Sequence, residues 1–173
     1  IGPLCGVLAS LFHNRWPDQL FSIFALVGIS VPSFFLGPLL LLLFAIKLQL
    51  LPISGADDGV MSLILPSTAM GMALAAMLAR MSRASMLEVL SEDFIRTARA
   101  KGLSSSVVFF KHGLRNALIP VVTLVGLQFG AVLAGAVVTE KIFNWPGIGL
   151  LLLESIQKLD MPQVQVCVLV IAF

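Results

Sequence analysis

Arg96, Arg99 and Lys101 place three cations within six residues, beside Glu92 and Asp93 and directly before Gly102. On one helix such a set can pair with acidic groups of a soluble partner, although lone surface charges contribute little. Gln128 lies between Leu127 and Phe129 in a long uncharged run. An amide there is costly to leave unpaired, which marks it for a solute pathway or a subunit interface. Ser33 and Thr123 are further candidates for that role. Together with Ser30, Ser67 and Thr68 they are more simply explained as bonding back to their own helices. Bond-breaking chemistry finds no footing. The chain has no HExxH, no phosphate-binding glycine loop and no Ser, His and acid set within its apolar runs. Cys5 and Cys167 have neither the spacing nor the neighbours of a metal site or a disulfide framework and read as small buried hydrophobes.

The elements that must position these residues are set by composition. Of 173 residues, 58% are hydrophobic and 12% charged, about half the charged share of a soluble domain. Such a chain lacks the polar surface to cover a core in water, whereas a bilayer supplies an apolar solvent. Gln19 to Ile46, Gly59 to Ala79 and Asn116 to Thr139 are free of charge and exceed the ~20 residues needed to span. The first run holds Pro32, Gly37 and Pro38 and is expected to kink. The uncharged ends, Ile1 to Phe12 and Val168 to Phe173, read as stubs of further spanning helices, so the chain is expected to be a fragment. Basic residues alternate across the spans. Arg15 and the Arg80–Arg115 connection carry eight, against three (Lys47, Lys141 and Lys158) on the opposite side. The positive-inside rule therefore puts the Arg80–Arg115 connection in the cytoplasm.

Residues 84–117 form the part built for contact with water. Leu87, Leu90, Phe94, Ile95 and Ala98 recur at helical spacing and predict a helix over Met86–Lys101, with Glu92 and Arg96 four apart. Gly102 fits a C-cap at positive φ, and Ser104–Ser106 offer N-caps for a second helix over Val107–Leu114. Helix, glycine turn and helix make a stiff lever for a docked partner. The plainer reading is a basic loop against anionic headgroups, and His112 and Arg115 are assigned to the loop's own fold or to such headgroup contact. Gly126, Gly130 and Gly135 with Ala131 and Ala134 suggest close helix packing on the third span. Leu48 to Asp58 reads as a short outer loop turned by Pro52 and Gly55. Glu140–Asp160 reads as a re-entrant or interfacial piece held at headgroup level by Trp145.

The stretch EDFIRTARAKGLSSSVVFFKHGLRNALIP, from Glu92 to Pro120, resembles the cytoplasmic loop of dipeptide, oligopeptide and nickel permeases of the ABC importer family. The likeness continues through Gly126-Leu127-Gln128 and Phe143-Asn144-Trp145-Pro146-Gly147-Ile148-Gly149. Upstream it takes in Ser30-Val31-Pro32-Ser33-Phe34-Phe35 and Leu51-Pro52-Ile53-Ser54-Gly55. Gly102 and Ala98 match the broader class's Glu-Ala-Ala…Gly motif, while Arg96 and Thr97 depart from it. Pro120 comes later than that class places its proline, which points to the peptide and nickel branch.

The resemblance implies an all-α, polytopic transmembrane helix bundle of the type I permease fold, here one partial domain, 1–173, without its N-terminal and C-terminal helices. It implies a multi-pass location in the bacterial inner membrane and import of peptides or related small solutes, including nickel or glutathione. The implied partners are a second, paralogous permease, two cytoplasmic ATPase subunits and an external substrate-binding protein. ATP would be used by the ATPases, with no cofactor or metal held by this chain and no catalysis of its own. Glu92, Asp93, Arg96, Thr97, Ala98, Arg99, Ala100, Lys101 and Gly102 would dock the ATPase, and Trp145, Pro146 and Gly147 would face the binding protein. The rival is an ion-coupled secondary transporter or channel. Such proteins place charge inside the membrane, and the three spans hold none.

Overall fold

Inside lipid a chain must satisfy its own backbone hydrogen bonds, and every regular element among the described residues is helical. The computed structural model describes residues 1–12, 16–57 and 59–172. The side chains of Pro17, Phe24, Ser33, Ala131, Leu133, Ala134 and Gly135 lie outside that description. The helices are α1 (Gly2–Leu11), α2 (Trp16–Ser30), α3 (Ser33–Leu40) leading into a π-helical segment (Leu41–Lys47), α4 (Val60–Ser91) and α5 (Asp93–Ala100). Then come α6 (Ser105–Val107), a second π segment (Val108–Leu114), α7 (Arg115–Phe143), α8 (Ile148–Gln157) and α9 (Met161–Ala172).

Two compact units are present, and each has its own core. The first comprises Ile1–Ser30 and Ala73–Gln128. In it, α1 meets α4 backbone to backbone. A Cβ on Gly2 would overlap the carbonyl of Ala75, and one on Gly6 that of Ala79. Glycines four apart therefore face alanines four apart, the small-residue arrangement that lets helices approach in a membrane. Val7, Met86, Phe109 and Ala117 form the core beside this contact, with Val89, Leu90 and Leu114 around it. Ser85 Oγ donates to the Ala117 carbonyl at 3.0 Å and ties α4 to α7. Arg83 closes a two-pronged ion pair on buried Asp18, with Nε–Oδ1 at 2.5 Å and Nη2–Oδ2 at 2.7 Å.

The second unit comprises Val31–Met72 and Phe129–Phe173. Its core gathers Ala45, Leu65, Ala69 and Phe143, flanked by Leu40, Phe44 and Leu51. Gly55, at φ +83°, turns the loop before α4 as expected, and its N–H donates to the Phe143 carbonyl at 3.1 Å. Past Phe143 the chain bends by 79° into α8, and α9 packs beside α8. Asp58, where that expected loop ends, lies outside the described residues.

Three sequence expectations are corrected. The helix expected over Met86–Lys101 breaks at Glu92, whose extended backbone (φ −67°, ψ 151°) precedes α5. Up to Ser91 the chain is still α4, whose 32 residues reach ~48 Å against a bilayer core of ~30 Å. The uncharged run ends at Arg80, and the helix does not end with it. Val107–Leu114 is not a separate helix but leads directly into α7. The expected spans change accordingly. Val60–Ser91 and Ser105–Gly130 each suffice to cross a membrane. Two bent pairs, Asp18–Ser30 with Phe34–Lys47 and Ala136–Phe143 with Ile148–Gln157, bring the total among the described residues to four if each pair counts as one span. The anticipated break in the first run falls at Val31–Pro32.

Candidate functional site

Helix α5 is amphipathic over its eight residues. Ile95 and Ala98 turn inward and, with Val108, form a small buried cluster. Burying those two side chains points Glu92, Asp93, Arg96, Thr97, Arg99, Ala100 and Lys101 to the outside. Arg96 Nη1 reaches Asp93 Oδ1 at 3.1 Å, so its partner is Asp93 and not Glu92, the residue four positions earlier. This pair is exposed and worth only a few tenths of a kcal/mol. Thr97 Oγ1 donates to the Asp93 carbonyl at 3.0 Å. Arg99 borders a groove of about 340 Å³ that also takes in Ser105, Ser106 and Phe110.

The end of α5 is a Schellman motif. Gly102 N–H donates to the Arg99 carbonyl at 3.0 Å and Leu103 N–H to that of Ala98 at 3.4 Å, with Gly102 at φ +78°. That geometry needs the left-handed conformation, which glycine adopts without steric cost. A Cβ at Gly102 would meet nothing within 4 Å. The constraint is therefore conformational, and the position stands open to a partner. Ser104 occupies the next N-cap, but its hydroxyl makes no cap hydrogen bond and lies 3.4 Å from Ser106 Oγ.

Among the pathway candidates, Gln128 Nε2 donates to Met77 Sδ at 2.7 Å, an exposed contact between α7 and α4. Thr123 Oγ1 bonds back to the Ile119 carbonyl at 3.1 Å, and Ser30 and Thr68 bond back in the same way. The Ser33 side chain lies outside the described residues. Gly126 and Gly130 have open space where a Cβ would stand, so the packing expected of them is not made within the described chain.

At the bend between α7 and α8, Asn144 takes φ +47° and Trp145 N–H donates to the Glu140 carbonyl at 2.9 Å. Trp145 is half-buried and Pro146 exposed. Gly147 is the N-cap of α8. The Glu140 carboxylate fills the space beside it and accepts the Leu150 N–H at 2.8 Å. A Cβ on Gly147 would overlap that carboxylate, and one on Gly149 would come within 2.9 Å of it. A carboxylate at a helix start meets both an orphan N–H and the positive end of the dipole.

The family model described as "Binding-protein-dependent transport system inner membrane component" matches residues 2–173. The chain belongs to that family. The glutathione transport system permease protein GsiC of Escherichia coli K12 is 53% identical over 164 residues, covering 95% of this chain and 53% of GsiC. Its counterparts in Shigella dysenteriae and Shigella boydii are 53% and 52% identical over the same length. The chain thus spans about half the length of the curated relatives it matches.

For an inner membrane component of this family, two residues stand out that sequence reading left unassigned. By spacing Phe94 falls on the apolar face of its helix and has no contact role assigned, yet it is 42% exposed on α5. The break at Glu92 turns it outward among the charges. Glu140 had no sequence signal as a cap, because it precedes the helix it caps by eight residues. The pair Gly147 and Gly149 was its only trace.

Proposed function

We propose that this chain is the membrane core of a permease subunit in an ATP-driven importer, carrying a small peptide such as glutathione or a related solute. The observation that carries this reading is α5, a short helix with a buried apolar edge and an exposed charged face, held between two membrane-crossing helices. Exposed Phe94, Arg96, Arg99 and Lys101 would seat in a cleft of a cytoplasmic ATPase, with Gly102 ending the helix at the contact. Ala98 serves the fold from beneath. ATP hydrolysis belongs to that partner. Movement of α5 would pass through Ile95, Ala98 and Val108 into the Ser105–Gly130 helix and shift the balance of inward and outward states by differential contact energy. Residues 84–117 act as the coupling segment. A second permease, most simply a paralogue, would complete the pathway, with Gln128 and Thr123 at its wall or at the seam. The Trp145-Pro146-Gly147 bend would meet the external binding protein.

The test is to purify tagged full-length protein from native membranes in mild detergent and identify its partners by mass spectrometry, beside a Gly102→Trp variant. Recovery of an ATPase with the wild type and its loss from the folded variant is the expected result. An intact permease that brings down no ATPase would favour an ion-coupled transporter or channel.

A further inference from the structure

The start of the Ser105–Gly130 helix, within the coupling segment, carries cations that the docking face on α5 does not use. Lys111, His112, Arg115, Asn116 and Ile119 line an open groove of about 480 Å³. None of the three basic side chains has an ion pair or side-chain hydrogen bond among the described residues. Asn116 is oriented by donating to the His112 carbonyl at 2.8 Å, and its amide oxygen has no donor among the described groups. Immediately beyond, the same helix becomes apolar and stays uncovered. Ile119 is 65% and Val122 66% exposed, and Gly126 has nothing within 4 Å of its Cβ position. Ile119, Val122 and Gly126 follow at intervals of three and four, so they continue one stripe along the helix. From Arg115 to Gly126 the stripe rises ~16 Å, about one leaflet of a bilayer whose core is ~30 Å.

A cationic groove on the cytoplasmic side that leads into a leaflet-deep apolar track has the polarity of a phospholipid standing headgroup-down. We infer that this face binds one anionic phospholipid of the inner leaflet. Lys111 and Arg115 hold its phosphate, His112 and Asn116 complete the headgroup pocket, and an acyl chain lies along Ile119, Val122 and the gap at Gly126. The charge complementarity favours lipid over a protein partner. The cations are uncompensated and sit where charge gives way to an uncharged span, the level at which headgroups lie.

Native mass spectrometry of the full-length importer complex, titrated with phosphatidylglycerol and separately with phosphatidylethanolamine, tests this. The wild type should retain phosphatidylglycerol preferentially, and the Lys111→Gln/Arg115→Gln double variant should lose roughly thirtyfold in apparent affinity, two headgroup attractions being removed together. Lys141→Gln, which removes a charge on the opposite side, should leave retention unchanged. Lys111→Arg/Arg115→Lys should restore it, which separates loss of charge from loss of fold. Equal retention of the two lipids by the wild type would overturn the inference. So would displacement of lipid by millimolar inorganic phosphate, which would make this a free-phosphate site. Release of a protein subunit by the double variant with lipid retention intact would overturn it in favour of a protein interface.

Discussion

Two residues in this chain hold the same backbone conformation with opposite fitness for it. Gly102 ends α5 at φ +78°, and Leu159 follows α8 at φ +57°. Around Leu159 the bonds repeat those at Gly102, with Leu159 N–H to the Ile156 carbonyl at 3.1 Å and Asp160 N–H to that of Ser155 at 3.0 Å. A side chain in this region costs about 1–2 kcal/mol relative to glycine. Gly102→Ala should lower stability by about 1 kcal/mol, and Leu159→Gly should raise it by a similar amount, because Leu159 is 75% exposed and loses little burial. Thermal unfolding in detergent should move in opposite directions for the two variants, and movement in the same direction would refute the shared-motif account. Gly102 was legible in the sequence because glycine after an amphipathic run announces a C-cap. Leu159 carries no such signature, since its conformation is imposed by the α8–α9 turn.

Among the elements, the apolar helices are legible in the sequence, and the helix ends beside the Arg80–Arg115 connection are not. Apolar spacing runs without interruption from Leu87 and Leu90 through Phe94, and Glu92 makes no side-chain cap bond, so nothing local announces the break between α4 and α5. Tertiary packing makes it, by turning Ile95 and Ala98 onto Val108. The glycine surfaces divide in the same way. Gly126 and Gly130 had the stronger sequence claim to close packing, yet the tight crossing lies at Gly2 and Gly6. Gly6→Leu should destabilise the first unit by about 3 kcal/mol, because the added atoms collide with backbone that has nowhere to move. Gly126→Leu should stay within about 0.5 kcal/mol in the isolated chain. Intrinsic tryptophan fluorescence during thermal unfolding reads both. A large loss at Gly126 would mean that an unrecognised contact covers it.

At the level of the whole molecule, charge asymmetry makes a prediction that contact geometry does not. If residues 84–117 are cytoplasmic, a cysteine at Ser104 should react with a membrane-impermeant maleimide in inverted vesicles and not in intact spheroplasts. A cysteine at Lys158 should show the reverse. Cys167 is buried, and replacing Cys5 with serine removes the other thiol of these 173 residues from the readout. Labelling of both sites from one side would break the proposed topology. Hydropathy and charge sufficed for the class of molecule because lipid constrains composition over whole spans. They were silent on how residues inside each unit meet, since one apolar side chain serves lipid or core equally well.

The clasp between Glu140 and the α8 N-terminus has an evolutionary consequence. A side chain at position 147 would push the Glu140 carboxylate, the far end of a flexible side chain, out of that space, and the Leu150 N–H would lose its acceptor. The two positions are therefore linked in descent: once 147 carries a side chain, a carboxylate at 140 no longer caps α8, and selection to keep it there is lifted.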